Sequence, residues 1–104
     1  TALSGGQKKL LEIGRALMAR PKMILFDEPA AGVNPTLAES IGDHLQAIAR
    51  SGVTVLIIEH DMALIGRISE HVIVMALGRT LAEGGFEEVR NNRSVQDAYF
   101  GVRK

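Results

Sequence analysis

The chain has 104 residues, 46% hydrophobic but only 4% aromatic, and its 12 Lys+Arg balance 12 Asp+Glu for a formal net charge of +0. That length allows at most one small domain with little stability to spare, and its core must be built from Leu, Ile, Val, Met and Ala. The charge balance gives no reason to expect nucleic acid or an anionic membrane as a direct partner, and the absence of cysteine excludes disulfides and thiolate metal sites and suits a reducing compartment.

No apolar run approaches the roughly 20 residues that span a bilayer. Thr1-Ala2-Leu3-Ser4 has no initiator Met, no basic n-region and no apolar h-region, so no signal peptide is expected. Because a functional motif begins at once, the expectation is a piece of a longer protein.

Ser4 opens the first element. Ser4 and Gln7 stand at capping-box spacing, with the hydroxyl free to bond an orphan N–H and the amide reaching back. Leu10, Leu11, Ile13, Leu17 and Met18 recur near the helical period, which predicts a helix through Arg20. Pro21 ends it, since a residue before proline avoids the right-handed helical region. Met23 to Phe26 is a continuous apolar run, the pattern of a strand covered on both faces. Asp27 to Asn34 reads as a loop carrying Pro29 and Gly32. Pro35 suits the first position of the next helix, with Asn34 as its N-cap. Leu37, Ile41, Leu45 and Ile48 mark that helix's buried face, and Ser51-Gly52 marks its stop.

Val53 to Ile58 is a second buried strand, rich in β-branched residues. Asp61 is placed to cap a helix bearing Leu64, Ile65 and Ile68. His71 to Leu77 is a third strand, and Gly78-Arg79 reads as a tight turn into a short strand, Thr80 to Ala82. Phe86 to Arg90 and Ser94 to Phe100 read as short helices. Strands alternating with helices imply an α/β fold in which parallel strands are flanked by helices, with a short C-terminal hairpin and helices after them. There is no internal repeat, low-complexity tract or second domain.

Asp27 and Glu28 are adjacent carboxylates where a buried strand meets a loop. Ligands of open α/β sheets bind at the carboxyl ends of strands. There, Asp27 suits Mg²⁺, held through water against substrate phosphates, and Glu28 suits a general base that polarises a water for in-line attack. A lone acidic pair is more often a solvated turn; the apolar run before it and Pro29 after it favour the site. Ser4-Gly5-Gly6-Gln7 offers a helix N-terminus with uncluttered backbone N–H groups, a phosphate-binding end in the functional reading and an ordinary capped helix start in the bland one. Lys8 and Lys9 read as a solvated helix face. His60 ends the second strand, and neighbouring parallel strands bring their tips together, so it is placed to reach the same phosphate or attacking water. His44 and His71 receive no role. The histidines lack zinc spacing, and no serine sits in a nucleophile elbow.

The ordered set L-S-G-G-Q, an apolar strand ending D-E-P, A-G-V-N-P, and an apolar strand ending E-H-D resembles the ABC-transporter ATPase family along essentially the whole chain. Residues 1–104 then resemble the C-terminal part of its P-loop NTPase domain. Leu3 to Gln7 matches the signature motif, Met23 to Asp27 the Walker B strand, Glu28 the catalytic glutamate, Ala31 to Asn34 the D-loop, and His60 the switch histidine. The loop Asp27 to Pro35, the run Ile58-Glu59-His60-Asp61-Met62 and the ending Asp97-Ala98-Tyr99-Phe100-Gly101 are similar to the ATP-binding subunit of branched-chain amino acid importers.

The resemblance implies ATP and Mg²⁺ as cofactors and a head-to-tail dimer with a second ABC ATPase subunit. Ser4, Gly5, Gly6 and Gln7 would contact ATP bound to the partner, with Asn34 in the D-loop nearby. Asp27, Glu28 and His60 would act on nucleotide bound in cis. It further implies membrane permease subunits as partners, a periplasmic binding protein indirectly, no nucleic acid, and a peripheral place on the cytoplasmic face of the inner membrane. The lipopolysaccharide-export ATPase is a competing resemblance, with a similar A-G-V loop; Asn34 and the Glu-His-Asp-Met run favour the importer. A DNA-repair ATPase of this class would carry coiled-coil heptads near the motif, and none occurs. A non-catalytic dimerisation fragment is the remaining alternative.

The family's Walker A loop and Q-loop are absent from these residues. The chain alone is therefore expected neither to bind ATP tightly nor to hydrolyse it. In the family's sheet, the Walker A strand lies between those matching Val53–Ile58 and His71–Leu77. Without it, the expectation is that the chain closes the gap by pairing these two strands directly, by strand exchange or dimerisation, or by local misfolding.

Overall fold

The computed structural model describes residues 5–100, and these divide into two compact units, the first running to Leu64 and the second from Ile65. Ser4, and with it the capping hydroxyl, lies outside the described residues.

The first unit begins with helix α1, Gly5–Met18. Its buried side is narrower than the apolar period predicts: Ile13 is buried, whereas Leu11 and Met18 are 52% and 83% exposed. The helix also stops earlier than Arg20. Arg20 precedes Pro21 and leaves the helical region for the left-handed one at φ 52°, while its N–H closes a final turn on Leu17 O at 2.9 Å.

Strand β1, Met23–Asp27, follows, then helix α2, Pro35–Arg50, and strand β2, Thr54–Ile58. Asn34 caps α2 as expected: its side chain accepts from Leu37 N at 2.8 Å, and Pro35, which has no N–H to leave orphaned, starts the helix. Ser51 closes the other end, and Gly52 at φ 106° turns the chain in a conformation that side-chain-bearing residues rarely adopt. Ile41 and Leu45 of α2 are the most deeply buried side chains, and α2 packs on β2.

β1 and β2 pair in parallel, with Met23 opposite Thr54 and Asp27 opposite Ile58. The expectation that β1 is covered on both faces fails. Ile24 is buried, but Met23 and Leu25 are about half exposed, and so are Leu56 and Ile58 of β2. Successive strand residues face opposite ways, so one face of this two-stranded sheet is covered and the other is bare and apolar. A continuous apolar run records how apolar a strand is, not what lies on each side of it.

Helix α3, Met62–Ile68, spans the division between the units, and Asp61 caps it as expected by accepting from Leu64 N at 3.1 Å. The second unit contains β3, Val72–Ala76, and β4, Arg79–Gly84, paired antiparallel. Leu77 and Gly78, both at positive φ, form the two-residue turn, one position earlier than the sequence reading places it. β4 is longer than expected, and an irregularity between Val74 and Met75 accommodates the extra residue Leu81. Helix α4, Phe86–Arg90, packs against both strands; α5, Arg93–Val95, and a turn of π-helix, Gln96–Phe100, complete the described chain. Among the described residues, the strand ladders join β1 to β2 and β3 to β4.

Candidate functional site

The parallel register of β1 and β2 brings their carboxyl ends together, and there the chain leaves regular structure on both strands. Glu28 follows β1 directly. Its backbone sits in the left-handed region at φ 51°, a conformation costing a non-glycine residue about 1–2 kcal/mol. Several bonds hold it there. Glu28 N donates to Ile58 O at 2.7 Å, extending the ladder by one step, and Glu28 O accepts from Ala31 N at 3.0 Å. Lys9 of α1 reaches the same carbonyl at 3.4 Å. The adjacent carboxylates meet different surroundings, Glu28 at His60 and Asp27 beside the cleft against α1.

The Glu28 carboxylate meets His60, whose Nε2 lies 3.0 Å from Glu28 Oε1. A carboxylate oxygen accepts, so the ring nitrogen donates. The imidazole is 74% exposed and the glutamate side chain 46% exposed, which leaves both open to a ligand. Asp27, at the last position of β1, is exposed beside a shallow cleft of ≈ 130 Å³ lined in part by Lys9, Glu12 and Ile13 of α1 and by Phe26 and Pro29. Among the described residues, no three His, Cys, Asp or Glu side chains gather into a closed metal cage. The donor chemistry still fits magnesium, a hard cation that keeps several waters and takes one or two carboxylates together with phosphate oxygens.

The remaining residues named from sequence are distributed as follows. Gly5 and Gly6 open α1, and Gln7 lies exposed in its first turn. Ser4 is outside the described residues. Gly6 is buried, and a Cβ placed on it would collide with the Leu37 side chain of α2. Its smallness is therefore required by helix packing, quite apart from any phosphate. Asn34 spends its side-chain oxygen on capping α2.

Sequence reasoning missed Lys9 and Glu59. Lys9 was assigned to a solvated face, yet it is half-buried and bonds the backbone of Glu28. Helical phase relative to Ile13 was the available signal, since positions four apart share a face. Glu59 accepts from Ala30 N at 2.8 Å, which ties the loop after Glu28 to the end of β2. No local pattern announces that bond, because it joins residues 29 positions apart.

Residues 1–31 match the family model for the ABC transporter, and residues 79–104 match that for the branched-chain amino acid ATP-binding cassette transporter. The chain is 50% identical over 103 residues to a probable branched-chain amino acid transport ATP-binding protein, LivG, of Methanocaldococcus jannaschii, an alignment covering 95% of this chain and 40% of that protein. It is 43% identical over 101 residues to the LivG protein of Archaeoglobus fulgidus, covering 97% of this chain and 39% of that one. A crystal structure of the ADP conformation of an ATP-binding cassette of an ABC transporter matches with a TM-score of 0.87 and 45% identity, over 96% of this chain and 41% of that one. The chain thus spans about 40% of the length of the relatives it matches. In both sequence and fold, over nearly all of its residues, this chain is similar to ATP-binding proteins of ABC transporters.

Proposed function

We propose that this chain supplies the signature helix and the hydrolytic residues of an ATP-driven subunit that powers import of branched-chain amino acids through a membrane permease. The observation that carries the proposal is the meeting of Glu28 and His60 at the tips of adjacent parallel strands. Branched-chain amino acid transport in the names of its relatives supports the substrate class.

In this reading Glu28 would accept a hydrogen bond from the attacking water, orient it and take its proton. His60 donates to Glu28, and its exposed ring would be open to a γ-phosphate. Asp27 would hold Mg²⁺ through water, and the ion would neutralise charge developing on the phosphates. Ser4, Gly5, Gly6 and Gln7 would serve ATP bound to a second ATPase subunit, with the D-loop of Asn34 beside that interface. The working partners are then that second subunit and the permease subunits, with a periplasmic binding protein acting through the permease. The subunit would sit peripherally on the cytoplasmic face of the membrane; no described helix is long and apolar enough to cross one.

The test is transport. This chain is grafted in place of the matching part of the Methanocaldococcus jannaschii relative and reconstituted in vesicles with permease subunits. Leucine uptake driven by ATP, outcompeted by isoleucine and valine but not by lysine, is the expected result. ATP hydrolysis that never moves a branched-chain amino acid would remove the substrate assignment.

A further inference from the structure

We infer that Glu59 is a positioning residue that holds the Glu28–His60 pair in register, an inference that rests on the hydrolytic reading of that pair. Glu59 stands directly after β2 and is half-buried. Its two carboxylate oxygens serve different segments. Oε2 accepts from Ala30 N at 2.8 Å, and Oε1 accepts from His60 N at 3.2 Å. One carboxylate therefore fixes the backbone two residues beyond Glu28 and also the backbone that carries the imidazole.

The loop needs such a clamp. Glu28 is held at φ 51°, so its side-chain direction depends on anchors at both sides rather than on a favoured backbone. On one side the anchor is the bond from Glu28 N to Ile58 O, which belongs to the strand ladder. On the other side the turn bond from Ala31 N to Glu28 O is local, and the tie to the second strand is Glu59. Lys9 adds a longer contact to the carbonyl of Glu28 itself, which fixes the peptide plane but not the chain beyond it. Released from Glu59, the segment from Pro29 onward loses its tie to β2, and the 3.0 Å approach of Glu28 to His60 loses one of its supports. A solvated acid at a strand end has no reason to place each of its oxygens on a backbone N–H of a different segment, and a charged acceptor makes these among the stronger bonds in the loop.

The experiment uses the 104-residue chain and needs no nucleotide. Amide exchange and proton NOEs are compared in the unmodified chain, Glu59→Gln and Glu59→Ala. In Glu59→Ala the Ala30 amide should exchange at least about 10-fold faster, the loss expected when a charged acceptor is removed. The NOE between the His60 ring and the Glu28 side chain should disappear, while the amides around Ile41 and Leu45 keep their protection. Glu59→Gln, which retains one acceptor oxygen, should restore the NOE in part. In the unmodified chain the Ala30 amide proton should shift in step with the Glu59 carboxyl carbon resonance as that carboxyl group ionises. An Ala30 amide indifferent to that ionisation, or an NOE unchanged in Glu59→Ala, overturns the inference. So does loss of protection at Ile41 and Leu45 in both variants, which would make Glu59 a residue of the fold. Failure of the hydrolytic reading shows elsewhere, as ATP turnover that survives Glu28→Gln.

Discussion

His60 Nε2 lies 3.0 Å from Glu28 Oε1 although the residues are 32 positions apart. The parallel register explains the meeting. Asp27 lies opposite Ile58, each strand ends there, and the residues just beyond cross the same short gap. Topology brings the two residues to one place, and the bonds made by Glu28 and Glu59 hold their side chains there.

Both members of that pair are substantially exposed, and exposed pairs contribute at most about 1 kcal/mol to stability. His60→Ala should therefore leave the denaturant midpoint of the chain nearly unchanged. The same substitution in the grafted subunit should reduce ATP turnover by about 100-fold or more, the scale of a lost transition-state donor. A large loss of stability in His60→Ala would instead make the histidine a structural residue.

Gly6 makes a prediction about packing that is separate from nucleotide chemistry. A methyl group there meets Leu37 across the α1–α2 contact, so Gly6→Ala should cost about 1–3 kcal/mol, as overpacking does. Leu37→Ala removes the obstructing side chain, and the double variant should recover most of the Gly6→Ala loss. Urea denaturation of the four chains measures the coupling. Additive losses would show that Leu37 is not what excludes a side chain at position 6.

The bare sheet face predicts behaviour in solution. Met23, Leu25, Leu56 and Ile58 expose 45–56% of their surface on a two-stranded parallel sheet, an arrangement ordinarily covered on both sides. Sedimentation of the isolated chain should reveal concentration-dependent association, and Leu25→Lys with Leu56→Lys should weaken it. A monodisperse monomer at high concentration would contradict this.

Much of the local structure was legible because it is written in short-range chemistry. Asn34 before Pro35 fixed the start of α2, and Asp61 fixed the start of α3. The tips of β1 and β2 followed from two apolar runs separated by a helix, a pattern that yields parallel neighbours. What was not legible depends on contacts distant in sequence. Whether Leu25 is covered is decided by what packs on the sheet, and hydropathy cannot report it. Lys9 and Glu59 were passed over because a charged residue reads as solvated until its partner is known. The turn at Leu77 was placed one residue late, since a leucine at φ 52° is not a residue that turn chemistry would choose.

The measurement closest to the central claim is steady-state ATP hydrolysis by the grafted subunit, with and without Glu28→Gln, alongside the 104-residue chain alone. The chain alone should show no turnover and no tight ATP binding by calorimetry. The graft should hydrolyse ATP, and Glu28→Gln should lower its rate by about 100-fold or more while nucleotide binding survives, as loss of a general base requires. Turnover undiminished by Glu28→Gln would contradict the account.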